Sequence, residues 1–535
     1  MFSFFCCAKD IFRQNSHTIG IMKKSNESFI KGALVLSLGG LFAKILGALY
    51  RIPLTNIIGS YGMGLYQLVF PPYILFLTLA QCGVPVALSK LIAEKNQLCQ
   101  ANQGKKMFKL CLCILGVMGA VCAVVMASLS KVMANWQGNG DTAMAFVIVA
   151  PALVFVPITN VLKAHFQGNM NMVPSGVTTV IEQIVKLVVG LTCAISFMPD
   201  VQKAVMGAVF AITVSEFCSL AIMLGVYLAK SKQKPLVRLQ KADCKPLASQ
   251  IFVLAVPVAL GAIAMQLSQV IDSVMVVNLL NVRNATELYG LWTGPVNSML
   301  GLPIALSSGV AVCALPTVTK AFVCGDNQKL NQSFNSSVKL TLVIALPCAL
   351  GMTVLSKPIL SLLYGALPAD EIHTASVLLS LSGASIVFLA VLQTAVSVCQ
   401  AVDKPYATVV IVSLSIVVKA LLNLILLPIS NINIYGAAIS ETMCYLFATV
   451  CVIIYLRVKV GLKLDFAQSL LKPLSAGMLM TLCITIGVTL CEQLFASKLG
   501  TLVMIALAGG VYFATLLWLK VFDKNEFKIL PTKQT

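Results

Sequence analysis

"GGLFAKILGALYRIPLTNIIG", residues 39–59, has the apolar length of a membrane-crossing helix, which needs about 20 residues for a ~30 Å hydrocarbon core. Yet Lys44 sits inside it and Arg51 follows seven residues later. Seven residues is nearly two turns, so the two cations share one face about 10 Å apart along the axis. An ionisable group at mid-membrane costs at least ~2.5–3.5 kcal/mol on insertion scales and usually faces a cavity or a partner. The stretch therefore reads as a transmembrane helix that lines something.

Stretches of this kind fill the chain. Of 535 residues, 58% are apolar and 11% charged, against roughly 25% charged in soluble domains. Fourteen spans are expected, at 31–54, 66–93, 107–129, 143–165, 173–198, 203–229, 248–280, 287–319, 338–363, 371–402, 405–428, 434–456, 468–491 and 499–519. With residues near a span end counted with the adjoining side, 29 of the 38 Lys and Arg, Lys163 among them, go with the termini and every second loop, six, Arg51 among them, go with the other loops, and Lys44, Lys186 and Lys419 lie deep inside spans. By the positive-inside rule both termini are cytoplasmic. The net charge of +19 is thus an orientation signal and no nucleic-acid surface.

The same reading excludes other chemistry. Three His, no paired carboxylates and no nucleophile elbow argue against an enzyme. The 18 Cys are scattered through apolar segments without metal-ligand spacing and read as small hydrophobes, so neither metal nor cofactor is expected. The amino-terminal segment lacks the long apolar core and cleavage site of a signal peptide. Met22, ahead of "KKSNES", is a second candidate start that would make the first 21 residues an upstream extension.

The two halves repeat. At an offset of 222, "LGGLFAKILGALYRIPLTNII" from Leu38 aligns with "LGAIAMQLSQVIDSVMVVNLL" from Leu260, placing Lys44 opposite Gln266 and Arg51 one place from the equivalent of Asp272. At 223, Leu65-Tyr66 and Pro72 match Leu288-Tyr289 and Pro295; at 233, Lys186 matches Lys419; Ser215-Glu216 recurs as Ser440-Glu441. The expected fold is an all-α polytopic membrane protein with two pseudo-symmetric six-helix lobes and two further helices. Its parts are a cytoplasmic segment 1–30, an N-lobe 31–229, a basic hinge 230–247, a C-lobe 248–458, helices 13 and 14 over 459–521, and a cytoplasmic tail 522–535. Substrate sites of repeat-built transporters lie where repeats meet.

Lys44, Lys186 and Lys419 all fall about 20 Å from the cytoplasmic end of their helices, with Glu216 and Glu441 at nearly that depth. Lys186 has Glu182 one turn earlier and Glu216 on the next helix as candidate partners; Lys419 has Glu441. Lys44 has no acid in its own helix. Arg51 either snorkels to the interface or forms an outer gate with Asp272, for which a cation site or an interface position is the competing reading. Lys44, Arg51 and Lys419 are the expected substrate-binding residues; Asp272, Glu216, Glu441 and Lys186 are expected in gating or ion coupling.

"FIKGALVLSLGGLFAKILGALYRIPLTNIIGSYGMGLYQLVFPPYILFLTLAQCGVPVALSKLIAE", from Phe29, resembles the first two spans of stage V sporulation protein B and related polysaccharide biosynthesis proteins. These belong to the multidrug/oligosaccharidyl-lipid/polysaccharide flippase superfamily, with the lipid II flippases. "ELYGLWTGPVNSMLGLPIALSSGVAVCALPTVTKA", from Glu287, resembles the eighth-span region of the same family. Where lipid II flippases carry Arg, Leu-Gly and Arg-Asp in the first span, this chain has Lys44, Leu46-Gly47 and Arg51, one place later and without the Asp, a departure closer to the sporulation branch.

The resemblance implies alternating access and a cargo of undecaprenyl diphosphate carrying sugars, such as lipid II, moved across the bacterial cytoplasmic membrane by a protein that acts as a monomer among membrane lipids. A multidrug or cation antiporter on the same fold is the alternative, and a membrane scaffold for envelope assembly a third class. Membrane potential, Na+ and H+ all remain open as driving forces.

Overall fold

A computed structural model of the chain describes residues 2–98, 100–231, 241–280, 282–490 and 497–521. Half of the expected hinge, residues 232–240, and all of the expected tail lie outside the described residues. The helices, in chain order, are α1 (Phe2–Gln81), α2 (Val84–Gln97), α3 (Ala101–Ser128), α4 (Ser130–Trp136), α5 (Ala143–Val149), α6 (Ala152–Gly168), α7 (Val173–Phe197), α8 (Val201–Ser231) and α9 (Lys241–Leu279). They continue as α10 (Ala285–Leu291), α11 (Asn297–Val323), α12 (Asn327–Val354), α13 (Ser356–Leu363), α14 (Ala369–Ala401), α15 (Pro405–Leu426), α16 (Tyr435–Tyr455), α17 (Lys472–Leu490) and α18 (Lys498–Trp518). Among the described residues there is no strand, and the all-helical membrane fold expected from the sequence is what forms. Among the described residues twelve helical stretches are long and apolar enough to cross a membrane.

Local chemistry sets where helices stop. The connection expected near residues 55–65 is reduced to Gly59, whose φ of 70° and ψ of −177° break α1 in its middle; only glycine takes such a backbone without strain. No proline precedes Pro53, so α1 starts at Phe2 rather than near residue 31. Gly83, at φ 67°, ends the same arm and leads into α2 with Pro85 at its first turn. Pro151 separates α5 from α6, and Pro295 sits in a π turn, Trp292–Val296, between α10 and α11, where its missing N–H would break an α-helical ladder. The Asp326 carboxylate accepts from the Lys329 N–H and caps α12. That bond, followed by the Lys329 ammonium, holds the Asp326 carboxyl below its ordinary range.

Two buried clusters lie in the first half. One joins Tyr50, Leu54, Phe146, Leu153 and Val209; the other joins Leu88, Ile92, Phe108, Leu162 and Met223. Two more lie in the second half, around Trp292, Leu360, Tyr364 and Ile386 and around Phe334, Leu392, Val398 and Val452. A fifth holds α17 to α18 through Met480, Ile484, Met504 and Tyr512. Two segments cross between halves: Leu68 of α1 belongs to the cluster around Trp292, while Leu247, Ile251 and Ala255 of α9 belong to the one around Leu88.

Candidate transport site

The alternating connections put the loops at 98–100, 169–172, 324–326, 402–404 and 461–466 on one face, here called the basic face. On the other, opposite face, the halves are sealed against each other. The Asn56 side chain donates to the Leu363 carbonyl at 2.8 Å and accepts from the Ala366 N–H at 3.3 Å. Ser60 donates to Glu371 at 2.8 Å, and Gln67 to the Thr293 carbonyl at 2.8 Å. Asn139 donates to Thr286 at 3.1 Å, and Asn278 to the Trp136 carbonyl at 2.9 Å.

Glycines make this contact close. A Cβ on Gly64 would collide with the Thr286 carbonyl oxygen, and one on Gly290 with the Ser60 carbonyl oxygen. Sequence reading had matched Tyr66 to Tyr289 as repeat equivalents without foreseeing that these segments touch. "GSYGMGLYQ" and "YGLWTGP" do carry the signal, as runs of small residues beside aromatics.

α1 is held against α7 by another close approach: a Cβ on Gly39 would lie 3.0 Å from the Gly176 carbonyl oxygen, and one on Gly190 would strike the Tyr50 hydroxyl. This leaves Lys44 exposed and Arg51 half-buried. Arg51 is close enough to Lys186 of α7, and to Tyr50, Tyr66 and Tyr364, to act on their charge. Among the described residues none of Lys44, Arg51 and Lys186 has a carboxylate oxygen within 4 Å.

Glu182, a candidate partner for Lys186, is engaged elsewhere. Its Oε2 lies 3.6 Å from the Lys163 ammonium and accepts from Ser219 at 3.5 Å, and its Oε1 accepts from Gln183 at 3.2 Å. Glu216 of α8 sits within electrostatic reach of Lys163, Glu182 and Lys186. Lys163, near the end of its expected span, reaches Glu182 and Thr179 of α7.

In the second half the structure pairs differently from the expectation. Lys419 binds Asp272 at 3.0 Å, and Asn423 donates to the other Asp272 oxygen at 2.7 Å. Ser440 donates to the Asn423 side chain. Asp272 is thereby tied to α15 and α16 within its own half rather than to Arg51. Glu441 accepts from Tyr445 at 2.9 Å and acts on Lys419 without a direct contact. Asn423 was not singled out from the sequence, although it follows Lys419 by four residues and so shares its face.

A polytopic bundle whose halves meet in a sealed contact, with Arg51 beside that contact, has the architecture of a membrane transporter. Residues 29–322 match the family model described as polysaccharide biosynthesis protein, and residues 257–425 match the MatE model. The chain belongs to the polysaccharide biosynthesis protein family, within the flippase superfamily that also holds the multidrug exporters.

Lipid II flippase MurJ of Bacillus subtilis (strain 168) is 26% identical over 444 residues, 79% of this chain and 81% of its own. Stage V sporulation protein B of the same organism is 24% identical over 355 residues, 64% and 68%. Among solved structures, lipid II flippase MurJ in an inward closed conformation superposes with a TM-score of 0.71 at 16% identity, covering 91% of this chain and 99% of that one. An inward-facing multidrug resistance MATE family transporter gives 0.65 at 14% identity, covering 78% and 94%. These likenesses show the fold.

Proposed function

We propose that this transporter moves a lipid-linked anionic glycan, an undecaprenyl diphosphate bearing sugars such as lipid II, outward across the bacterial cytoplasmic membrane by alternating access. The observation that carries the reading is Arg51, half-buried on α1 with no carboxylate oxygen within 4 Å among the described residues, beside the bonds that Asn56 makes to the second half. A cation inside a membrane span without an acidic partner is costly unless it faces water or an anion visits. Lys44, one face along α1, extends the same donor set toward the basic face.

In this reading the basic face is cytoplasmic, both termini lie there, and the sealed face is the outer one, so the conformation is inward-facing. The 56-residue stretch Phe42–Gln97, about 84 Å long if straight and broken at Gly59, supplies two crossings; the 39-residue α9 adds one, which brings twelve to fourteen. Lobes at 31–229 and 248–458 then join through the hinge at 230–247. Asp272, paired with Lys419, locks α9 to its lobe rather than forming the outer gate with Arg51, and Glu216 with Glu441 are the acids available for ion coupling. The protein acts as a monomer.

A cation antiporter is the second reading, favoured by the acids Glu182 and Glu216 within the first half. Reconstituted protein should flip fluorescent lipid II in vesicles, and Lys44→Ala and Arg51→Ala should each slow flipping at least tenfold. Unchanged flipping in both variants would remove the site assignment; efflux of an organic cation with no lipid flipping would establish the antiporter instead.

A further inference from the structure

We propose that Glu371 makes the seal on the opposite face responsive to protons: the halves stay closed while Glu371 carries a proton, and its ionisation favours their parting. The inference concerns the seal and holds whatever the cargo is.

The contact is built around Ser60, directly after the break at Gly59. Ser60 is 4% exposed and meets the second half twice. Its carbonyl oxygen lies where a Cβ on Gly290 of α10 would fall. Its hydroxyl donates at 2.8 Å to Oε1 of Glu371, in the first turn of α14. The other carboxyl oxygen of Glu371, Oε2, is buried, and among the described residues it has no hydrogen-bond partner. An ionised oxygen buried without a donor is costly, and a proton on it removes the charge.

The surroundings of Glu371 add to that cost. α10 brings Glu287, and α14 itself Asp370, within electrostatic reach of it. Tyr61, next to Ser60, donates to Asp141 at 2.7 Å and is also within reach of Glu287, so carboxylates of both halves gather where the halves meet. Basic groups on the flanking segments, Arg283 ahead of α10, Lys357 of α13 and His373 of α14, are exposed. Among the described residues no Lys, Arg or His nitrogen lies within 4.0 Å of Glu371, Glu287, Asp370 or Asp141.

The direction of the response follows. In the sealed arrangement an ionised Glu371 faces like charge and lacks a donor on Oε2; parting the halves lets water solvate it and spreads the acids. Ionisation therefore costs less in the parted arrangement, which gains population as pH rises. For one proton the ratio of parted to sealed molecules rises by up to about tenfold per pH unit through the transition.

The test uses the full-length chain in nanodiscs, in chelator-containing buffer so that the acids exchange protons and not divalent cations. Spin labels are carried on noncanonical residues at the exposed Lys131 and Arg283. Raising the pH from about 5 to about 8 should move the population toward the longer separation. Glu371→Gln keeps an acceptor for Ser60 and has no proton to lose, so it should hold the shorter separation throughout. Glu287→Gln removes one opposing charge and should make the shift smaller. The same series in Gly290→Ala, whose added methyl loosens the contact, should start from a more open population. No response to pH in either the wild-type or the Gly290→Ala background overturns the proposal, as does a shift of full size in Glu371→Gln. A shift of full size in Glu287→Gln overturns the charge coupling behind it.

Discussion

Lys419 and Lys44 are both lysines inside predicted spans, yet the structure treats them oppositely. Lys419 is 18% exposed and faces an Asp272 that is 23% exposed, a nearly desolvated pair further bound by Asn423. Removing one partner of such a pair leaves a stranded charge. Lys419→Met should therefore lower stability by about 3–5 kcal/mol, while Lys419→Met with Asp272→Asn recovers most of it. Thermal unfolding of the detergent-solubilised variants measures this, and equal losses in the single and double variants would contradict it.

That Lys44 and Arg51 share a face was legible from their spacing alone. The partner of Lys419 was not: Asp272 lies 147 residues away, whereas Glu441 was nearer in the chain and matched a repeat acid. Proximity in sequence decides pairing only within a helix or a short hairpin. Across helices the crossing geometry decides it.

At the scale of elements, the contact between the post-kink part of α1 and α10 is made by glycines. Because Gly64 and Gly290 would each drive a Cβ into a backbone carbonyl, no side-chain rotation relieves the clash. Gly290→Ala should destabilise the seal by about 1–3 kcal/mol and raise amide hydrogen exchange in residues 285–294 and 56–66. Exchange at the wild-type rate would show that this contact is not what holds the opposite face closed. The sequence matched Leu65-Tyr66 to Leu288-Tyr289 as equivalents, and equivalents that touch lie beside the axis relating the halves. The break between the spans 31–54 and 66–93 was legible, but its reduction to one residue was not, because helix continues on both sides and only the backbone angle at Gly59 interrupts it.

For the whole molecule, the seal makes a prediction about cycling. Trp136 and Asn278 come from different halves and are joined at 2.9 Å through the Trp136 carbonyl. A short thiol-specific cross-linker between Trp136→Cys and Asn278→Cys, in a background without exposed cysteines, should stop lipid flipping, and reductive cleavage should restore it. Flipping at the uncrosslinked rate would mean the opposite face need not open. α9 bears on the same motion, because its start packs with the first half while Asp272 is tied to α15; repeat counting assigned its residues from 248 onward to the second half.

The sequence by itself determined that the chain is a membrane bundle, that its basic residues gather on one set of loops, that its halves repeat and that its first span carries cations on one face. These follow from composition and from the helical period, which are properties of neighbours in the chain. Only the tertiary structure decided that Asp272 belongs to Lys419, that Glu182 belongs to Lys163, and that Gly64 and Gly290 bring the two halves into backbone contact. Those outcomes depend on which helix faces cross and how closely the glycines let them approach, and no periodicity encodes that.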